Sequence, residues 1–341
     1  MKKVSIKDVA LKAGVSIASV SYVLNNRTDS RIGKETIEKV KKAADELNYR
    51  PNNIAKSLKT QRTYTIGLIV ADIANPYFSQ IARIIEDEAK KKGYTLIIGS
   101  SDENNEKFES LIELFCDRQV DGLIIAPVEN SEAYIEKIIR QKVPFVFIDR
   151  YLPQVDATGI QINNYSISYQ ATEHLIAGGR KNIVLVAYNS TLAHLKERNQ
   201  AFIDAIVKHN LPYSDQSVID VNTDSIDADI DAALENLYNS DNRPDALFFT
   251  SNKLAVSGLK NLIKRNVSIP NDVAVVAFDE TEAYKLFSMS VSYVRQPLSE
   301  IGKSALAQLH LKIEDPAHAI TNIILDAELI IGKTSNPKNT Q

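Results

Sequence analysis

Apolar positions recur along this chain with two different periods, and the change between them divides it near residue 63. In Val4 to Asn25, VSIKDVALKAGVSIASVSYVLN, the residues Ile6, Val9, Ala10 and Ala13 fall on one helical face. Gly14 interrupts that helix and Ser16 opens a second, which turns Val20, Val23 and Leu24 inward. Two short amphipathic helices joined at a glycine predict a helix-turn-helix, whose second helix keeps one face free for a DNA major groove. A third helix is predicted from about Lys34 to Asn48, with Ile37, Val40, Ala44 and Leu47 on one face, completing a small three-helix core. Pro51 then ends helical continuity. The segment Asn53–Lys59 allows only two turns, too short to be stable alone. It reads equally as a helix stabilised by DNA or a second copy of the chain, or as a flexible linker with helical bias.

From Tyr64 the period changes to apolar strands separated by amphipathic helices. The strands are predicted at 65–73, 95–102, 122–128 and 144–151, and again at 182–190, 246–252, 273–280 and 291–297. Near-continuous apolar strands between helices predict parallel sheets covered on both faces. Eight of them suit two lobes better than one sheet. The organisation expected is therefore an all-α headpiece over 1–50, a hinge over 51–63, and an α/β core of two doubly wound parallel-sheet lobes over 64–341.

Charge sharpens this division, because the helical pattern alone would fit any small helical hairpin. Residues 1–60 carry 13 lysines and arginines against 6 aspartates and glutamates, a balance of +7, while the remainder carries −10. A basic head on an acidic body is the footprint of phosphate contact. No apolar run is long enough for a transmembrane helix and no signal-peptide pattern opens the chain, so a cytoplasmic protein without membrane association is expected. Cys116 is the only cysteine, which fits a reducing compartment and reads as a packing residue. His174, His194, His209, His310 and His318 have no ligand spacing, so neither metal nor cofactor is expected.

In open α/β sheets ligands sit beyond the carboxyl ends of the strands. There the first lobe offers Asn75, Tyr77 and Phe78, then Asp149 and Arg150; the second offers Asn252, Asp279 and Gln296, with Arg198 on a following helix. Carboxylates, guanidiniums and amides beside two rings suit a neutral polyhydroxylated ligand, since bidentate groups pair with vicinal hydroxyls and ring faces cover C–H surface. Singly, each of these residues reads as well as a helix cap. Convergence from both lobes is the stronger signal.

IKDVALKAGVSIASVSYVLN, LNYRPNNIAKSLKTQRT, ADIANPYF, FIDR, RNQAF, TSN and VVAFDE occur in this order, and with them the chain resembles the LacI/GalR family of bacterial transcription regulators over essentially its whole length. The resemblance implies a core of the periplasmic sugar-binding type, a homodimer on a pseudo-palindromic double-stranded DNA operator, and a small-molecule effector, a sugar or sugar derivative. It implies a repressor in function and not an enzyme. It assigns the effector contacts to the nine strand-end and helix residues named above. DNA contacts are implied for Ser5, Ser16, Ile17, Ala18, Ser19, Ser21, Tyr22, Asn25 and Arg31 in the headpiece, and for Asn52, Ala55, Lys56, Leu58 and Lys59 in the hinge. Leu58 takes the position of a minor-groove wedge.

Departures from the family pattern carry their own expectations. Tyr22 stands where arginine is usual, so a bidentate guanine contact is lost and Ile17, Ala18, Ser21 and Tyr22 become the readers, the first two against thymine methyls. Lys253 replaces a common aspartate; it either turns the site towards acidic or phosphorylated sugars or points to solvent, and the solvent reading is preferred. The ring usually contributed near DVNTDSID is missing, which leaves stacking to Tyr77 and Phe78. Gly33 replaces a capping serine at nearly equal quality. Two rivals stand beside this reading. A regulator controlled by a protein partner would keep the same architecture. An enzyme on the α/β core lacks a phosphate-cradling glycine loop, a nucleophile elbow and a metal cluster, Gly178–Gly179 being a helix-ending pair. The tail SNPKNTQ has no leucine heptad, so a dimer is expected rather than a tetramer.

Overall fold

In the computed structural model, which describes residues 4–24, 32–50, 62–239 and 243–336, the chain divides into two units, 1–63 and 64–341. The first is helical, with α1 (Ile6–Ala13), α2 (Ile17–Leu24) and α3 (Lys34–Glu46). The Asp8 carboxylate accepts from the Ser5 backbone N–H and hydroxyl at 2.8 and 2.7 Å, which fixes the start of α1. Gly14 ends it in the left-handed region at φ 66°, a conformation glycine adopts without penalty. Ser16 Oγ accepts from the Ser19 N–H at 3.1 Å and opens α2. Val9, Ala10, Val20, Val23, Val40, Ala43 and Ala44 form the buried core, flanked by Ile6, Ala13, Leu24, Ile37 and Leu47. The expected third helix thus ends at Glu46, with Gly33 as its N-cap. The two-turn helix expected over Asn53–Lys59 lies outside the described residues.

The second unit has two six-stranded sheets. Sheet A contains β1 (Thr65–Val70), β2 (Thr95–Ser100), β3 (Gly122–Ile125), β4 (Phe145–Ile148), β5 (Gly159–Ile162) and β11 (Asn322–Leu325), in the order β11-β5-β4-β3-β1-β2 and parallel throughout. Sheet B contains β6 (Ile183–Tyr188), β7 (Val218–Val221), β8 (Ala246–Phe249), β9 (Ala274–Phe278), β10 (Ser292–Arg295) and β12 (Glu328–Ile330), in the order β12-β10-β9-β8-β6-β7, with β12 antiparallel to β10. The two orders match position for position. All eight expected strands are present; β5, β7, β11 and β12 are additional.

Helices α4 (Pro76–Lys91), α5 (Asn105–Asp117), α6 (Glu132–Arg140) and α11 (Leu298–Glu314) cover sheet A, and α7 (Asn164–Ala177), α8 (Ala193–Lys208), α9 (Ile226–Asn239) and α10 (Asn252–Lys264) cover sheet B. The chain therefore passes between lobes three times, after β5, after β10 and after β11. The strands β3, β4, β8 and β9 are buried along their whole length, as sheets covered on both faces require. Gly258 on α10 lies so close to Phe249 that an added Cβ would fall 2.2 Å from the ring, so the glycine lets helix and strand pack. Gly178 and Gly179 end α7, the latter at φ 83°. Cys116 is half-buried beside the Phe108–Ile112–Phe115 cluster, and burial raises its thiol above the ordinary value.

Candidate functional site

On the helical unit, packing of Val20 and Val23 leaves the opposite face of α2 outward. Ile17 and Tyr22 are 45 % and 49 % exposed, and Ala18 is exposed beside them. Ser19 and Ser21 are partly buried, while Ser5 and Ser16 are exposed caps. Two large apolar side chains held out on an eight-residue helix suit contact with base edges and methyl groups better than contact with water. Asn25, Arg31, Asn52, Ala55, Lys56, Leu58 and Lys59, also expected at this surface, lie outside the described residues.

The carboxyl ends of the two sheets in the second unit enclose a cavity of about 390 Å3. Asn75, Tyr77, Phe78, Asp149, Arg150, Arg198, Asp279 and Gln296 all line it. Local structure fixes each. Asn75 caps α4 by accepting from the Tyr77 N–H at 3.1 Å, and Pro76 follows at the first helical position, which aims Tyr77 and Phe78 into the cavity. Their rings meet edge to face at 5.0 Å. Asp149 directly follows β4 and Asp279 directly follows β9, the same place in the two sheets, and each has φ 65°. Two non-glycine residues in the left-handed region at matching strand ends mark positions where the backbone turns sharply to present a carboxylate.

Hydrogen bonds join these groups across the lobes. The Tyr77 hydroxyl donates to Asp149 Oδ1 at 2.8 Å and lies 3.3 Å from Gln296 Oε1; Gln296 Nε2 donates to Asp279 Oδ1 at 2.7 Å. Arg150 gives both terminal nitrogens to Glu103, at 2.8 and 2.6 Å, and places Nε 3.5 Å from Asp149 Oδ2. Arg198 donates to Asn164 Oδ1 at 2.9 Å and the Thr250 carbonyl at 2.7 Å, with its guanidinium carbon 3.5 Å from the centre of the Phe278 ring. Among the described residues no carboxylate touches Arg198. Burial lowers its pKa, opposed by the charges of Asp279 and Asp149. Burial likewise pushes Asp279 up to about 6, against the influence of Arg198 and the Gln296 hydrogen bond. His194 is held well below its ordinary value by burial and then by the charges of Arg150 and Arg198, so it is neutral. Arg150 Nε and His194 Nδ1 are buried without a hydrogen-bond partner.

Three expectations change. Lys253 is exposed but not free in solvent: it lines the cavity rim and forms an ion pair with Asp72 across the cleft, because α10 begins beside the approach to α4. Stacking is not confined to Tyr77 and Phe78, since Tyr188 at the end of β6 also lines the cavity, its hydroxyl pushed up to about 12 by burial. Asn252 is not part of the wall; its Nδ2 donates to Asn75 Oδ1 at 2.9 Å. Sequence reasoning also missed Glu103, Glu129 and His194, all of which line the cavity. Glu103 and Glu129 follow β2 and β3, so the strand-end rule applied to every strand would have found them. No metal-binding group of His, Cys, Asp or Glu occurs among the described residues.

Residues 63–333 match the model for periplasmic binding proteins and the sugar binding domain of the LacI family, and residues 5–52 match that for bacterial regulatory proteins of the lacI family. The HTH-type transcriptional repressor PurR of Vibrio campbellii is 30 % identical over 336 residues, 98 % of this chain and 99 % of the relative. Catabolite control protein A of Priestia megaterium is 30 % identical over 308 residues, 90 % and 91 % of the two chains. Among solved structures, the lac repressor dimer bound to operator and the anti-inducer ONPF superposes with a TM-score of 0.84 at 23 % identity, covering 98 % of this chain and all of that one, which is a likeness of fold.

Proposed function

The chain belongs to the LacI family of bacterial regulatory proteins and is a ligand-responsive transcription regulator, and from that premise we propose a homodimeric repressor whose grip on a pseudo-palindromic operator is set by a neutral polyhydroxylated effector in the interlobe cavity. The observation that carries this reading is the matched pair Asp149 and Asp279, one from each lobe, with the buried Arg198 guanidinium left without a carboxylate contact among the described residues. Two carboxylates accept from vicinal hydroxyls, Arg198 donates to ring or hydroxyl oxygens, and Tyr77, Phe78 and Tyr188 cover the apolar surface of a sugar. A phosphorylated or acidic effector fits less well. Seven carboxylates, Asp72, Asp102, Glu103, Glu129, Asp149, Asp224 and Asp279, line the cavity against three cations, Arg150, Arg198 and Lys253, two of which are already paired.

The effector acts by its differential affinity for open and closed lobes, since a ligand shifts a conformational equilibrium by no more than that difference. Operator contact is proposed through the exposed face of α2, with Ile17, Ala18, Ser21 and Tyr22 as readers and Ser5, Ser16, Ser19, Asn25 and Arg31 on the phosphates. Asn52, Ala55, Lys56, Leu58 and Lys59 are proposed to act at the operator centre, Leu58 as the wedge. Selection of random duplex DNA by the purified protein tests this directly. Enrichment of an inverted repeat, with binding weakened strongly by Leu58→Ala while sugar-induced stabilisation persists, is the expected result. Recovery of an unrelated asymmetric site, or equal affinity in the variant, rules out the symmetric operator and the wedge respectively.

A further inference from the structure

Side chains of the chain itself close the mouth of the cavity at separate points. The first two residues of α10 reach the approach to α4, where Asn252 donates to Asn75 and the Lys253 ammonium pairs with Asp72. At another lip Glu129, after β3, accepts from the Ser190 hydroxyl and, at 2.6 Å, from the Thr191 N–H after β6. Every one of these contacts joins the sheet A lobe to the sheet B lobe. We propose that Lys253 and Asp72 are an interlobe latch that populates the closed cleft before any effector arrives, and that Lys253 sets effector specificity through closure rather than by contact.

The electrostatics of the lip favour this role. Lys253 lines the cavity, yet its charge faces the Asp72 carboxylate in contact and Asp102 through space, and Asp102 is itself bound by Lys107 and Ser100. An acidic effector would have to compete with Asp72 for the ammonium and would meet Asp102 beside it. A neutral one leaves the latch made. The two side chains are 40 % and 21 % exposed, so the pair is partly screened and biases closure without fixing it. That is the size a latch needs, because a stronger one would leave the effector no equilibrium to shift.

The inference takes its meaning from the effector reading of the cavity, but its test does not depend on that reading. Hydrogen–deuterium exchange is measured on the full chain without effector or DNA, for the native protein, Lys253→Asp, Asp72→Lys and the double exchange. Opening of the lobes is expected to speed exchange by roughly threefold to fivefold, both near the latch, over Ile73–Phe78, and at the distant lip, over Glu129–Asn130 and Thr191–Leu192. The double variant is expected to return both towards native values, and high salt to move the native protein towards the single variants. Asp72 Oδ1 also accepts from the Ala74 N–H, so Lys253→Met, which leaves that turn intact, is run in parallel. Native exchange at the distant lip in Lys253→Asp and Lys253→Met, or no recovery in the double variant, overturns the latch. Failure of every sugar to stabilise a protein that passes this test would count against the effector alone.

Discussion

The two walls of the cavity are built from the same residue types but differ in what has already been neutralised. In the wall from sheet A, Arg150 is buried and gripped at both terminal nitrogens by Glu103, and Asp149 receives the Tyr77 hydroxyl and approaches Arg150 Nε. Burial works against the Arg150 charge, but Glu103 and Asp149 outweigh it and raise its pKa. In the wall from sheet B, among the described residues, Arg198 meets neutral acceptors and the Phe278 ring, and Asp279 accepts from one amide and is pushed up to about 6 by burial. The first wall is an ion-pair network that leaves Arg150 Nε without a hydrogen-bond partner; the second holds a buried cation that meets neutral acceptors and a buried carboxyl that accepts from one amide. Unsatisfied capacity in a buried site is what a ligand can complete, because those groups gain most from a new hydrogen bond. We propose that the second wall, whose charges lack a directly paired opposite charge, supplies most of the free energy of recognition and that the first supplies the frame.

The largest expected break in this asymmetry comes from Arg198→Ala. Removing the unpaired guanidinium should lower effector affinity by about 2–5 kcal/mol and abolish the effector response, while operator binding by the effector-free protein survives. Titration calorimetry with a ligand of the native protein, beside a DNA gel shift, reads both. An undiminished response would place recognition elsewhere.

Asp279→Asn should follow. The folded-state value of about 6 lies above the ordinary 3.8, so the folded protein holds this proton more tightly than the unfolded chain. The resulting stability is fully present below about pH 4 and is lost as pH rises through 6. At pH 7 the ionised carboxylate therefore costs stability. The amide variant should be more stable by up to roughly 3 kcal/mol there, lose the decline in stability between pH 4 and 6, and bind effector weakly. Denaturant melts of both proteins at pH 4.5 and 7 measure it; parallel pH profiles would refute the assignment.

Glu103→Gln tests the ion-paired wall. With Arg150 buried and its partner neutralised, folding stability should fall by about 1.5–3 kcal/mol, whereas Glu129→Gln, at a half-exposed lip, should cost less. Tyr77→Phe is the mildest change. It keeps the ring but removes the donor to Asp149, and is expected to cost about 0.5–1.5 kcal/mol, seen as a small shift in the melting midpoint without loss of operator binding.

The helical unit and the eight apolar strands were legible because strong periodicity and capping residues, Ser5, Gly14 and Ser16 among them, act locally. The strands that escaped are short. β5 and β7 are each interrupted by a polar residue, Gln161 and Asp220, and β11 and β12 are only partly buried and lie at sheet edges, where no covering helix pattern follows the apolar run Ile323–Leu325 of β11. Asp149 and Asp279 were found because a single rule, the carboxyl ends of parallel strands, locates them. His194 was not: it stands second in α8, and unlike Arg198 further along the same helix it carries no charge or pattern that marks it. The Lys253–Asp72 pair joins residues 181 positions apart, and only the docking of two lobes brings them together. Long-range electrostatics of this kind leaves no local pattern in a sequence.

The most direct test of the central claim is the melting temperature of the full chain against panels of neutral sugars, sugar acids and sugar phosphates. A fitting effector at 100 times its Kd should add about 2.7 kcal/mol of stability. The account predicts a shift with a neutral sugar, absent in Arg198→Ala. Stabilisation by acidic or phosphorylated compounds alone would contradict it.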